Sequence, residues 1–396
     1  MSCRYSFNPF FKTKPDWSGP FFSFLEDNDI LDFHKALPNY KPTPLHRLIK
    51  LARILGISEL YIKDEAHRFD IKAFKPLGAS YAIYRFLKRE WAKRFASEFN
   101  FNSFKDKKKI EKLGRFTFCA ASDGNHGKAV AWTAGQLGQK AVIYMPRGTV
   151  KARIDSIESE GARVFIVNGT YDDCVKRVSY EVRKNKWVEV ADTAYKGYTE
   201  IPSWILNGYT TIFREMEETI NLDDKVNVDY VFLQAGVGAF AAAGASYYVR
   251  KYLEKRPALI CIEPQEASGF LDSIEFGRGQ PIAAKGKMET IMAGLNCGIP
   301  SLVAWPILKD SINLFIAISD NYAEDAMAEY FKEGIIAGES GASGLAGLIA
   351  LLKDKNLKHA KNKLKITKKS RVLVINTEKD TDPENYRRII SKMGLK

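Results

Sequence analysis

A chain of 396 residues, 45% hydrophobic and 27% charged, is long enough for two domains or one bilobed unit with an ample core. Its formal charge of +13 gathers in two lysine-rich runs, Lys105 to Arg115 and Lys353 to Arg371; the second has no interleaved aromatics and no nucleic-acid motif accompanies it. Solvated surface is therefore expected, with no nucleic-acid partner. The N-terminal stretch MSCRYSFNPFFKTKPDW lacks the apolar core of a secretory signal. The five cysteines are scattered and form no C-x-x-C pair, which suits a reducing cytoplasm without structural disulfides.

In chain order, ELYIKDE (59–65), RFTFCAAS (115–122), KAVIYMP (140–146), ARVFIVNG (162–169), WVEVAD (187–192), DYVFLQAG (229–236), ALICIEP (258–264) and RVLVINTE (371–378) read as strands. Between them lie helix-period segments such as 127–139 and 244–256. Continuous Val/Ile/Phe runs alternating with helices predict an α/β protein with parallel sheet covered on both faces. Ligands are then expected at the carboxyl ends of the strands. The best membrane candidate, Val231 to Val249, is interrupted by Gln234 and several glycines. It reads as a buried strand, a tight loop and a buried helix, so no membrane partner is expected.

Three motifs carry chemistry. In AFKPLGAS, Lys75 sits before Pro76 at a loop-to-helix junction with small residues behind it. Apolar crowding there predicts a lowered lysine pKa and a nucleophile for an aldehyde. In FLQAGVGAF, a strand ends at a tight turn, Gly236 to Gly238, before a small-residue helix whose free amides suit a phosphate. Gly236, Gly238 and Ala241 also match a loose dinucleotide fingerprint, with Glu263 placed to bind a ribose, so a nicotinamide dehydrogenase stays open. In AASDGNHGKAV, Ser122 to Gly127 lead from a strand into a helix, where amides could take a substrate carboxylate. That loop nevertheless carries a carboxylate, Asp123. His126 reads as a structural or supporting histidine, and with no H-E-x-x-H or cysteine cluster no metal is expected.

Lys75 in AFKPLGAS, the SDGNHG loop and AGVGAF occur in the order found in fold-type II pyridoxal phosphate enzymes, which include the threonine and serine dehydratases. Longer blocks from about Pro42 to Arg388, among them ADTAYKGYTEIPSWILNGY, TIMAGLNCG, AGESGASGL and VLVINTEKDTD, resemble the diaminopropionate ammonia-lyases of that fold. The resemblance implies a tryptophan synthase β-like architecture of two open, twisted α/β domains with the active site between them. Residues 1–95 and 193–396 would form a discontinuous large cofactor-binding domain and 96–192 a small one. It implies pyridoxal 5'-phosphate held by a Schiff base on Lys75. Asn125 would meet the ring hydroxyl, Gly236, Val237, Gly238, Ala239 and Phe240 the phosphate, and Thr377 the ring nitrogen, with Ser340 the lesser candidate there.

The implied reaction is elimination of 2,3-diaminopropionate, D or L, to pyruvate and two ammonia. A threonine or serine ammonia-lyase of the same fold is the alternative. Threonine-type dehydratases carry Ala or Ser where this loop has Asp123. A β-amino group, cationic when protonated, gives that carboxylate a purpose, and Asp192 matches a second acidic position. The resemblance makes Lys75 the base for the L-isomer and Asp123 the base on the other face. Ser122, Gly124 and His126 join these two acids around a small amino-acid substrate, and a homodimer is implied. Lys72 departs from a common Asn of the family and Lys379 from a usual Gly.

Overall fold

The computed structural model describes residues 3–220 and 228–395. Its strands are β1 (Arg4–Phe7), β2 (Leu45–Arg47), β3 (Glu59–Asp64), β4 (Thr117–Ala121), β5 (Lys140–Pro146), β6 (Arg163–Val167), β7 (Val188–Glu189), β8 (Tyr230–Gln234), β9 (Ala258–Pro264), β10 (Leu314–Ile318) and β11 (Arg371–Asn376). One sheet has seven strands in the order β1-β10-β9-β8-β11-β3-β2, the other four in the order β6-β5-β4-β7.

The centre of the larger sheet, from β10 to β3, is parallel, and so is the whole smaller sheet. Every residue of β8 and β10 is buried, as strands covered on both faces require. The larger sheet is not parallel throughout: β1 pairs antiparallel with β10, and β2 with β3. The sequence reading missed β1, β2 and β10, and WVEVAD pairs only over Val188–Glu189. The stretch from Val231 to Val249 is β8, a turn and a buried helix, Ala239–Tyr252. No helix among the described residues is long and apolar enough to cross a membrane.

What places the site is the seating of the helix Lys75–Ala92, which has proline in its first turn. It packs on the helix Glu200–Gly208 at close range: a Cβ on Gly208 would lie 2.5 Å from the Leu77 carbonyl oxygen, so only glycine permits the approach. The segment leading to Lys75 is wound tightly. Phe69, Asp70 and Lys72 all have φ in the left-handed region, at 49°, 59° and 68°. A fully buried ion cluster anchors it, with Arg68 bonded to both Glu65 and Glu215, and Lys63 Nζ 2.8 Å from Glu215. Left-handed backbone costs Asn less than Lys, so Lys72 is the more strained choice at its position.

Candidate active site

Strand ends and helix starts meet at one cleft of about 810 Å³. β4 delivers Ser122 to Gly124 and then the helix Asn125–Gln136. β8 delivers residues 235–238 and the helix Ala239–Tyr252, β11 delivers Thr377 and Glu378, and Asp192 follows β7. Lys75, Ser122, Asp123, Gly124, Asn125, His126, Asp192, Gly236 to Phe240 and Thr377 all line this space. Neither Lys72 nor Lys379 does; they meet each other through a backbone bond, Lys379 N to Lys72 O at 2.9 Å, beside the cleft.

Lys75 Nζ donates to Asp192 Oδ2 in a close ion pair, 5.2 Å from the centre of the Phe74 ring. This corrects the expectation of a lowered lysine pKa. Burial alone would lower it, but Asp192, with Tyr209 and Cys297 behind it, outweighs burial and raises it. Burial likewise opposes ionisation of Asp192, yet Lys75, by its charge and its hydrogen bond, holds that carboxyl down at about 2. Asp123 goes the other way. Burial, with Asp192 adding repulsion against the pull of Arg153 and Lys75, pushes it up to about 7. His126 places Nε2 2.6 Å from the Val190 carbonyl oxygen and Nδ1 3.9 Å from Asp192, and burial lowers its pKa. Donation from Nε2 leaves Nδ1 bare toward the aspartate, a neutral supporting ring.

The two loops differ in what they leave open. Ser122 Oγ accepts from the amides of Gly124 (2.9 Å) and Gly127 (2.7 Å), so Ser122 shapes its loop from within. The amides of Asp123, Asn125 and His126 have no acceptor among the described residues. Those of Gly236 to Phe240 are equally free. There Gly238 has φ 94°, and a Cβ on it would overlap the Phe270 ring. A Cβ on Gly236 would lie 3.1 Å from both Gly294 O and Leu295 Cα. Five free amides on a loop of this shape, at the start of a helix, fit a phosphate.

Gln234, at the end of β8, donates from Nε2 to Thr377 Oγ1 (3.1 Å), which leaves the threonine hydroxyl its own proton to give. The competing hydroxyl, Ser340 Oγ, accepts from Gly294 N at 2.9 Å. The free amides, the neutral hydroxyl donor and the cleft-facing amine suit the phosphate, ring nitrogen and aldehyde of pyridoxal phosphate. The dinucleotide alternative fails on Glu263. Both its oxygens are taken, at 2.8 Å each, by the amides of Phe270 and Leu271, and the residue is fully buried.

Sequence reasoning passed over Gln234, Glu378, Arg153, Tyr171 and Cys297, which also line the cleft. Glu378 accepts from the Asn125 amide and from Ser340 N. Its place directly after Thr377 was the one available hint.

The family described as "Pyridoxal-phosphate dependent enzyme" matches residues 36–378. The chain is 39% identical over 399 residues to a diaminopropionate ammonia-lyase of Salmonella typhimurium, covering 98% of this chain and 97% of that one. The solved structure of the Escherichia coli diaminopropionate ammonia lyase in complex with an aminoacrylate-PLP azomethine reaction intermediate superposes with a TM-score of 0.88 at 35% identity, over 99% of this chain and 98% of that one. The same enzyme in complex with D-serine gives the same TM-score at 35% identity, over 99% and 97%.

Proposed function

Because the chain belongs to the family of pyridoxal-phosphate dependent enzymes, within the diaminopropionate ammonia-lyases, we propose that it converts 2,3-diaminopropionate to pyruvate and two molecules of ammonia. One observation carries the reading. A single cleft holds a lysine and two aspartates whose surroundings drive their protonation apart, Asp192 held near 2 and Asp123 raised to about 7. Such a split assigns one carboxylate to lasting charge and the other to proton traffic.

Lys75 would hold the cofactor by a Schiff base, with the amides of Gly236 to Phe240 on its phosphate, Asn125 on its ring oxygen and Thr377 on its ring nitrogen. When bound, the cofactor supplies an electron sink for the pair left on the substrate's α-carbon. The remaining work belongs to the chain. The free amides of Asp123, Asn125 and His126 receive the α-carboxylate. Asp192, ionised throughout the neutral range, and Asp123 beside it hold the β-ammonium. The Lys75 amine takes the α-proton of the L-isomer, and Asp123 serves the opposite face. As the β-carbon–nitrogen bond breaks, its electron pair leaves with a nitrogen that is already protonated, so ammonia rather than amide ion departs. Water then hydrolyses the released enamine to pyruvate and the second ammonia.

The reading also divides the chain into 1–95 with 193–396 and 96–192. In its support, β4 to β7 of the smaller sheet all fall inside the second segment. A homodimer in a reducing cytoplasm completes it; all five cysteines are free and buried, and sedimentation would test the dimer. The deciding experiment is release of ammonia and pyruvate from D- and L-diaminopropionate, with serine and threonine beside them. Preference for serine or threonine would make this a hydroxyamino-acid ammonia-lyase of the same fold.

A further inference from the structure

Glu378 is a buried carboxylate, 3% exposed, that accepts from two neutral donors and pairs with no cation among the described residues. Its backbone is pinned on both sides. It bridges to Ala73, Phe74 N donates to Thr377 O at 3.2 Å, and Gly338 N donates to Glu378 O at 3.1 Å. One carboxylate oxygen, Oε1, accepts from Ser340 N (3.2 Å), and the other, Oε2, accepts from Asn125 Nδ2. A carboxylate can only accept. The nitrogen of the Asn125 amide must therefore face Glu378, since the reversed amide would set oxygen against oxygen.

We infer that Glu378 is a positioning residue that fixes which way round the Asn125 amide sits, so that the second N–H of Nδ2 remains to donate to the cofactor's ring oxygen. The inference rests on the reading of Asn125 as that oxygen's partner. It reaches across the fold: Asn125 opens a helix of the smaller sheet's layer, while Glu378 extends β11 of the larger one.

Glu378→Gln tests it sharply. The glutamine oxygen would stay on Ser340 N, which needs an acceptor, and the glutamine NH2 would then face Asn125. Asn125 would have to turn its oxygen toward that NH2, replacing a donor by an acceptor where the nitrogen now lies. Losing a hydrogen bond to a charged oxygen corresponds to a cofactor dissociation constant raised about tenfold or more. The expected result is that loss of affinity, read by dialysis or fluorescence titration, with a shifted visible band of the bound cofactor and an unchanged melting temperature of the cofactor-free protein. An unaltered band and affinity in a folded Glu378→Gln protein would overturn the inference. Glu378→Asp, which keeps the charge but shortens its reach, gives a second reading should the glutamine variant not fold, with the same signature expected. In an Asn125→Ala background, Glu378→Gln should weaken cofactor binding no further, and a full additive loss would also overturn it. If Asn125→Ala by itself leaves band and affinity untouched, the assignment of Asn125 to the ring oxygen has failed instead.

Discussion

Replacing Asp123 by asparagine should move activity and stability in opposite directions. The carboxyl titrates at about 7 against an ordinary 3.8, so the fold disfavours its charge. A raised carboxyl means that stability is full at low pH and falls as pH climbs from about 4 to about 7. Three units at 1.36 kcal/mol each set a ceiling of about 4 kcal/mol. Solvent reaching the open side of the half-buried carboxyl discounts that to about 1–2 kcal/mol. With roughly 0.8 kcal/mol/K of unfolding entropy for a chain of this size, cofactor-free Asp123→Asn should melt about 1–3 °C higher than wild type at pH 8, and no higher at pH 4.

Activity should fall at the same time. A hydrogen bond to a charged group is worth about 1.5–3 kcal/mol, or roughly ten- to a hundred-and-fifty-fold in kcat/KM for diaminopropionate. The loss should be greatest for the D-isomer, whose α-proton faces away from Lys75. Serine, with no β-charge, should be nearly indifferent. Thermal melts at the two pH values and a coupled pyruvate assay on the three substrates read all of this. A variant that melts lower at pH 8 and loses serine and diaminopropionate turnover equally would refute the reasoning, because Asp123 would then be shaping the Gly124 turn.

Borohydride reduction of the holoenzyme followed by peptide mapping should leave the pyridoxyl group on Lys75; a label on Lys63, locked on Glu215, or on exposed Lys72 would overturn the site. Thr377→Asp should shift the visible absorbance and raise transamination at the expense of elimination, whereas an unchanged spectrum and product ratio would send the search to Ser340. Neutralising Lys363, Lys365, Lys368 and Lys369, all exposed, should leave kcat/KM intact. Tight DNA binding at physiological salt, with a steep salt dependence that these changes flatten, would contradict the reading of that run as plain surface.

What was legible in the sequence was local. A fully apolar run such as YVFLQ announces a covered strand, and glycines before a small-residue helix announce an anion loop. β1 is four half-buried residues that exist as a strand because β10, over 300 positions away, offers an edge. β10 itself is five apolar residues between two helices, a run whose length does not separate strand from buried helix. In the site, Lys75 and the Asp123 loop announced themselves through their neighbours in sequence. The pairings that give them their properties did not: Asn125 with Glu378 spans 253 positions, Gln234 with Thr377 143, and Lys75 with Asp192 117.

That last pairing changes the chemistry as well as the map. Judged by its neighbours in sequence, Lys75 is an amine kept neutral by apolar surroundings; beside Asp192 it is a cation, with its pKa raised. A cationic lysine cannot remove an α-proton. On the proposed reading the substrate resolves this. Its β-ammonium is a competing cation for Asp192, and each new partner that carboxylate takes weakens its hold on Lys75. As Asp192 turns to the substrate, burial is left as the dominant influence on the lysine, and burial lowers its pKa. A β-hydroxyl brings no charge with which to make that exchange. On that reading the ion pair that misleads a local view of Lys75 would favour a β-amino over a β-hydroxyl substrate: the amine, once released from the cofactor, would become a base when a second amine replaces it at Asp192.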